Sequence, residues 1–207
     1  MHTLFFSPGA CSQASHIALI EAGLPFELKR LKLKEGEQRG DDFLKVNPKG
    51  RVPALVTERG TLTETPAILG YIAQMAPDKQ LAPLDDPFDL ARMQAFNSFI
   101  CSTVHVNHAH GPRGSRWADE PTSLEDMKRK VPQTMRDSFR LIEDGMLVGP
   151  FVMGEAYTVA DIYLYVMSSW LKSDGVDIAE FPRVEDHFRR MSERPAVKAA
   201  LAAEAVA

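Results

Sequence analysis

Cys11 follows Ser7-Pro8-Gly9-Ala10 and precedes Ser12, at the point where a short apolar strand gives way to a helical pattern. A sulfur placed there meets the unpaired N–H groups of a helix N-terminus and roughly half a unit of positive charge, which favours thiolate over thiol. Cys11 is therefore a candidate nucleophile, or a position that touches another sulfur. Ser12 adds a hydroxyl that can donate to a thiolate. A second run, Asn47-Pro48-Lys49-Gly50-Arg51-Val52-Pro53-Ala54-Leu55, puts Pro53 at the start of a buried strand. Proline cannot donate to a sheet ladder, so Pro53 belongs at an entry point or in a tight turn of the kind that accommodates a cis bond. A cis bond would leave the backbone of Val52 open to a partner. A third run, Glu64-Thr65-Pro66, reads as a helix start with Thr65 as N-cap and Pro66 at the first position, and such a terminus can hold an anion.

Farther along, Ser98, Ser102 and His105 recur at spacings of four and three, so they share one face of a helix beginning near Phe88. His105, His108 and His110 lie close together before Gly111-Pro112. No carboxylate or thiolate completes a ligand set with them, so they read as cations at a helix C-terminus rather than a metal site. Asp161, third residue after Thr158, reads as half of a capping box and hence a determinant of the fold. Cys101 reads as core or cleft wall, and Trp117 and Trp170 read equally well as borders of an apolar pocket or as ordinary aromatic packing.

The elements that must position these groups follow from periodicity and punctuation. Leu4-Phe5-Phe6 reads as a buried strand, Cys11 to Ala22 as a helix ended by Gly23 and Pro25, and Phe26 to Leu31 as an alternating strand. A short helix over Asp41 to Val46, strands at Val52–Val56 and Thr61–Thr63, and the helix from Thr65 complete an α/β unit. Pro77 to Asp89 is rich in Pro and Asp, and no strand pattern recurs beyond it. Helices are expected over Phe88 to about His108, Leu124 to Asp144, Val159 to Lys172, Arg183 to Ser192 and Ala196 to Glu204. Ser123 is the expected cap of the second of these, and Pro132 is expected to kink it. The reading is a thioredoxin-like α/β domain over 1–78, a linker over 79–88 and an all-α domain over 89–207.

At 207 residues, 44% hydrophobic and 25% charged, the chain has the composition of a protein with a substantial core. A formal net charge of −4 gives no basic footprint for nucleic acid or anionic lipid. No apolar stretch approaches the roughly 20 residues of a membrane span, and the first residues lack the pattern of a secretory leader. Two cysteines far apart in sequence make no disulfide framework, which points to a reducing, cytoplasmic setting.

Taken in order, the Ser7–Ser12 run, the Asn47–Leu55 run, the Glu64-Thr65 helix start, the Thr158–Asp161 box and the tail Glu193-Arg194-Pro195-Ala196-Val197-Lys198-Ala199-Ala200 resemble cytosolic glutathione transferases, specifically the bacterial beta class. The resemblance covers essentially the whole chain. It implies glutathione as co-substrate, no metal, a homodimer, and an apolar site for small hydrophobic electrophiles supplied by the helical domain. It also implies that Cys11 lies beside the glutathione sulfur, where it can form a mixed disulfide, with His105 supporting the thiolate. Val52, preceding cis-Pro53, would pair with the cysteinyl unit, Glu64 and Thr65 would hold the γ-glutamyl end, and Lys34 would meet the glycine carboxylate. Ser12, Ser98, Ser102 and Thr103 complete the expected glutathione-binding set. Val106 stands where relatives carry lysine, and Thr103 where they carry glutamate, so fewer polar contacts reach the sulfur here. Two other readings remain at this stage: a glutaredoxin-like thiol-disulfide oxidoreductase, and a non-catalytic module that binds hydrophobic ligands.

Overall fold

A computed structural model describes residues 1–206. Four strands, β1 (His2–Phe6), β2 (Phe26–Arg30), β3 (Ala54–Thr57) and β4 (Gly60–Thr63), form one sheet in the order β2-β1-β3-β4. Nine α-helices accompany them among the described residues: α1 (Ser12–Ala22), α2 (Asp41–Val46), α3 (Thr65–Met75), α4 (Pro87–Phe99), α5 (His105–Ala109), α6 (Pro121–Leu141), α7 (Val159–Ser168), α8 (Pro182–Ser192) and α9 (Pro195–Val206). The chain forms two compact units, one of residues 1–90 with 192–207, the other of 91–191.

In the first unit, β1 and β2 run parallel with His2 opposite Phe26, a pairing that requires the α1 crossover between them. β3 returns antiparallel beside β1, with Leu4 opposite Leu55, and β4 pairs antiparallel with β3. Alternation along β1 then sorts its side chains: Leu4 and Phe6 are fully buried, whereas Phe5 lies on the other face against Phe43, ring centroids 5.4 Å apart. α1 stops because Gly23 adopts the left-handed conformation at φ 66° and its N–H closes on Ile20 O and Leu19 O. α1 packs against α3 and against the C-terminal α9. Residues 192–206 therefore group with the α/β unit, and the expectation of a helical domain running from 89 to 207 differs on this point. The physical reason is that Ala196, Val197 and Ala200 of α9 find burial against α1.

The second unit is helical, and α7 is its centre, since all ten of its residues are buried. Its start holds the expected capping box: Thr158 N–H donates to Asp161 Oδ2 at 2.8 Å, and Ala160 N–H donates to Thr158 Oγ1 at 3.3 Å. Other boundaries shift. The helix expected from Phe88 to His108 is divided by a π-helical turn at Ile100–Val104, and α6 passes into a second π-turn at Ile142–Met146. Ser123 lies inside α6, which begins at Pro121 after Glu120, because proline suits the first turn as well as a side-chain cap does. α7 ends at Ser168, and Ser169 to Gly175 continue as turns.

Candidate active site

The loop that carries Cys11 is closed by its own residues. Ser7 N–H donates to Ser12 Oγ at 3.1 Å, Ser12 Oγ–H donates back to Ser7 O at 3.3 Å, and Ala10 N–H donates to Ser7 O at 3.1 Å. Gly9 sits in this turn at φ 68°, a conformation that favours glycine. Ser12 is fully buried, and its one hydroxyl proton is given to the loop. That hydroxyl therefore braces the turn.

Cys11 stands at the N-cap of α1 with helical backbone angles, is 6% exposed, and is in no disulfide. Its Sγ–H donates to Val52 O at 3.4 Å. The Val52-Pro53 bond is cis. Val52 packs below with Leu31, Phe43 and Ala54, and half-buried Phe5 and Ala10 border the same cluster. The sequence thus brings together a helix-terminal sulfur and the backbone that precedes a cis-proline, two groups separated by about forty positions in the chain.

A carboxylate that sequence reasoning missed holds this loop from the far end of the chain. Glu204 of α9 is 4% exposed. Its Oε2 accepts from Gly9 N–H at 3.1 Å and from Gln13 Nε2 at 2.9 Å, while its Oε1 lies 3.0 Å from His16 Nδ1. His16 is itself buried between Phe6 and Phe26, at ring separations of 6.0 and 5.5 Å. The signal was present as the one acidic residue of the alanine-rich α9 and as Gln13 and His16 among the buried residues of α1. Only the tertiary pairing was hidden.

At the start of α3, the cap position is Glu64 rather than Thr65, which becomes the first helical residue with Pro66 second. Glu64 takes φ 69° and ψ 120°, a conformation few non-glycine residues adopt. Ile68 N–H donates to Glu64 O at 3.0 Å, so the strained residue also starts the helical ladder. Its carboxylate accepts from Lys49 Nζ at 2.5 Å, and Lys49 also donates to Thr63 Oγ1 at 2.7 Å. Thr65 is buried beside it. Lys34 lies on an exposed 3-10 turn, Leu33–Glu35.

The remaining predicted residues belong to the helical unit. Ser98 lies near the end of α4, Ser102 and Thr103 fall in the π-turn, and His105 opens α5. Ser98 and Ser102 are exposed and His105 is half-buried. His105 meets Trp170 edge-on at 5.1 Å. Among the described residues, no group of three or more His, Cys, Asp or Glu side chains is arranged to hold a metal, and no helix is long and apolar enough to cross a membrane.

Comparison with known proteins bears on the whole chain. The family model for the glutathione S-transferase N-terminal domain matches residues 2–74, and that for the C-terminal domain matches residues 116–204. Glutathione S-transferase GstA of Escherichia coli O157:H7 is 34% identical over 204 residues, covering 97% of this chain and 98% of that protein. A glutathione transferase homolog from Sulfitobacter, solved with bound glutathione, is 45% identical at a TM-score of 0.93, covering 96% of each chain. A bacterial beta class glutathione S-transferase from Sphingomonas chungbukensis is 37% identical at a TM-score of 0.87, covering 99% of this chain and 100% of that one. With both domain models matched in order along a four-stranded α/β unit and a helical unit, the chain belongs to the glutathione S-transferase family.

Proposed function

We propose that this protein transfers the sulfur of glutathione to small hydrophobic electrophiles and exchanges glutathione with disulfides through Cys11. The observation that carries this reading is the contact of Cys11 Sγ with Val52 O beside the cis-proline. An incoming cysteinyl unit that pairs with Val52 in the manner of an added strand would bring its own sulfur to Cys11. The ammonium of the γ-glutamyl end would meet Glu64 and its carboxylate the first N–H groups of α3, with Thr65 supplying a hydroxyl. Lys49 now covers Glu64, so the incoming ammonium takes over that carboxylate. Lys34, Ser12, Ser98, Ser102 and Thr103 are proposed to complete the glutathione-binding set. His105 is proposed to stabilise the thiolate as a donor. Family membership supports a homodimer and a cytoplasmic setting.

Cys11→Ala separates transfer from exchange. Both the conjugation of an aryl halide and the reduction of a mixed disulfide are expected to fall. Survival of conjugation with loss of disulfide reduction would show that Cys11 serves redox chemistry rather than transfer. Failure of the unmodified protein to bind immobilised glutathione would refute the catalytic reading in favour of a ligand-binding module.

A further inference from the structure

A lysine of the chain itself stands on the carboxylate that an incoming ammonium would take. Lys49 Nζ donates to Glu64 Oε1 at 2.5 Å and to Thr63 Oγ1 at 2.7 Å, so the start of α3 already holds a primary ammonium. The backbone on both sides is fixed. Asn47, 1% exposed, accepts Lys49 N–H on its Oδ1 at 3.1 Å, gives its Nδ2 proton to Arg51 O at 2.6 Å, and takes Gly50 N–H on its carbonyl at 2.9 Å. Gly50 closes this turn at φ 60°, and a Cβ there would meet Gln38 O at 2.9 Å, so the turn is packed from its flank as well. Glu64 is held by its φ of 69° and by Ile68 N–H on its carbonyl at 3.0 Å. What joins the two is a flexible four-carbon stem.

The pair is built to exchange. The Lys49 side chain is 45% exposed and that of Glu64 60%, so separating them strands neither charge in a dry site, and an ion pair this open is held weakly. Two ammonium groups on one carboxylate repel each other. Lys49 is the one that yields, because it keeps Thr63 Oγ1 as an acceptor and gains water. Lys45, on the same stretch of chain, provides the contrast. It pairs with Asp42 only three residues away within α2, a local surface contact, whereas Lys49 reaches fifteen positions along the chain to the one carboxylate at the start of α3.

We propose that Lys49 is an internal competitor for the ammonium subsite at Glu64 and thereby a specificity-determining residue. Peptides that carry an α-ammonium on the acyl end displace it, and acyl peptides that lack one bind with Lys49 left in place. The inference rests on the glutathione reading above. In the wild-type protein the lysine neutralises Glu64, which weakens the grip on an ammonium and admits an acyl end that bears a carboxylate alone. Without the lysine, Glu64 is a bare carboxylate that draws the first kind of ligand and repels the second.

The test measures binding of two peptides to the full-length protein by calorimetry in low-salt buffer. One is S-methylglutathione, and the other is S-methyl glutaryl-cysteinylglycine, which keeps both carboxylates and lacks only the amino group. Lys49→Met is expected to bind the first about 3-fold more tightly and the second about 3-fold more weakly, the reach of an exposed ion pair. Lys45→Met, which removes the same charge from a local pair, is expected to leave both affinities within about 1.5-fold. In conjugation of an aryl halide, Lys49→Met is expected to lower KM for glutathione about 3-fold with kcat nearly unchanged. Weaker or unchanged binding of S-methylglutathione by Lys49→Met, or a shift of both peptides in the same direction, would overturn the competitor role while leaving the glutathione reading intact. A wild-type protein that binds neither peptide would refute the glutathione reading and this inference with it.

Discussion

Replacing Glu204 by alanine tests how the end of the chain governs the loop that carries the sulfur. The carboxylate is buried and takes three donors: Gly9 N–H, Gln13 Nε2 and His16 Nδ1. Truncation strands two of them in a site without solvent, Gln13 at 4% exposed and His16 at 1%, whereas Gly9 is exposed and its N–H can turn to water. Each stranded neutral donor costs about 1–3 kcal/mol, and loss of one partner from a buried charged pair costs about 3–5 kcal/mol as a whole. The two estimates meet near 4 kcal/mol, to which lost packing of α9 on α1 adds little because only the end of one side chain is removed. For a chain of this size about 4 kcal/mol lowers Tm by roughly 8–16 °C. The assay is thermal unfolding followed by circular dichroism, with aryl halide conjugation measured well below the transition. Activity of Glu204→Ala is expected to fall even where the protein remains folded, because Gly9 loses its anchor two residues before Cys11. A Tm within about 3 °C of wild type would refute the assigned role of the carboxylate.

Three further substitutions have defined outcomes. Asp161→Asn replaces one of the two carboxylate oxygens, of which Oδ1 meets Val152 N–H at 2.7 Å and His187 Nε2 at 3.1 Å and Oδ2 meets Thr158 N–H at 2.8 Å, by an amide nitrogen that only donates, and is expected to cost about 2–4 kcal/mol in urea unfolding. A change under about 1 kcal/mol would show that the capping box does not set α7. Gly9→Ala meets no atom within 4 Å, so its cost is that of the left-handed backbone alone, about 1–2 kcal/mol, and a stabilised variant by the same unfolding measurement would contradict the assigned turn. At the surface, hydrogen bonding from Arg189, reinforced by the Arg189 and Arg190 charges, holds the Asp186 carboxyl below its usual range. A carboxyl lowered in the folded state adds stability above its unfolded pKa, near 3.9, and loses it as pH falls through the folded value. Solvent screening keeps this contribution small. Asp186→Asn is therefore expected to leave Tm at neutral pH nearly unchanged and to flatten the acid limb below about pH 4; a large loss at neutral pH would contradict it.

The α/β unit was legible because local chemistry and global fold agree there. Gly23 and Pro25 stop α1, alternation marks β2, and Pro53 announces the cis bond that the structure contains. The Thr158–Asp161 box was legible for the same reason, since both partners lie within one turn. The π-turns were not, because inserting one residue changes the hydrogen-bond register while leaving the pattern of polar and apolar residues nearly intact. Long-range pairings escaped for a different reason. Glu204 meets Gly9 across 195 positions and His108 meets Asp174 across 66, and no periodicity in the sequence encodes either contact. Ser12 illustrates a limit of residue type: a hydroxyl at a helix start reads equally well as a thiolate donor or as a loop brace, and in the structure it donates to Ser7 O.

The account turns on Cys11 as the residue that meets the glutathione sulfur, and intact-mass analysis tests that most directly. After incubation with oxidised glutathione, the wild-type protein is expected to gain the mass of one glutathionyl group, mapped by peptide digestion to Cys11, and Cys11→Ala is expected to gain none there. An adduct confined to Cys101, or a wild-type protein that remains unmodified while still conjugating an aryl halide, would contradict the central claim.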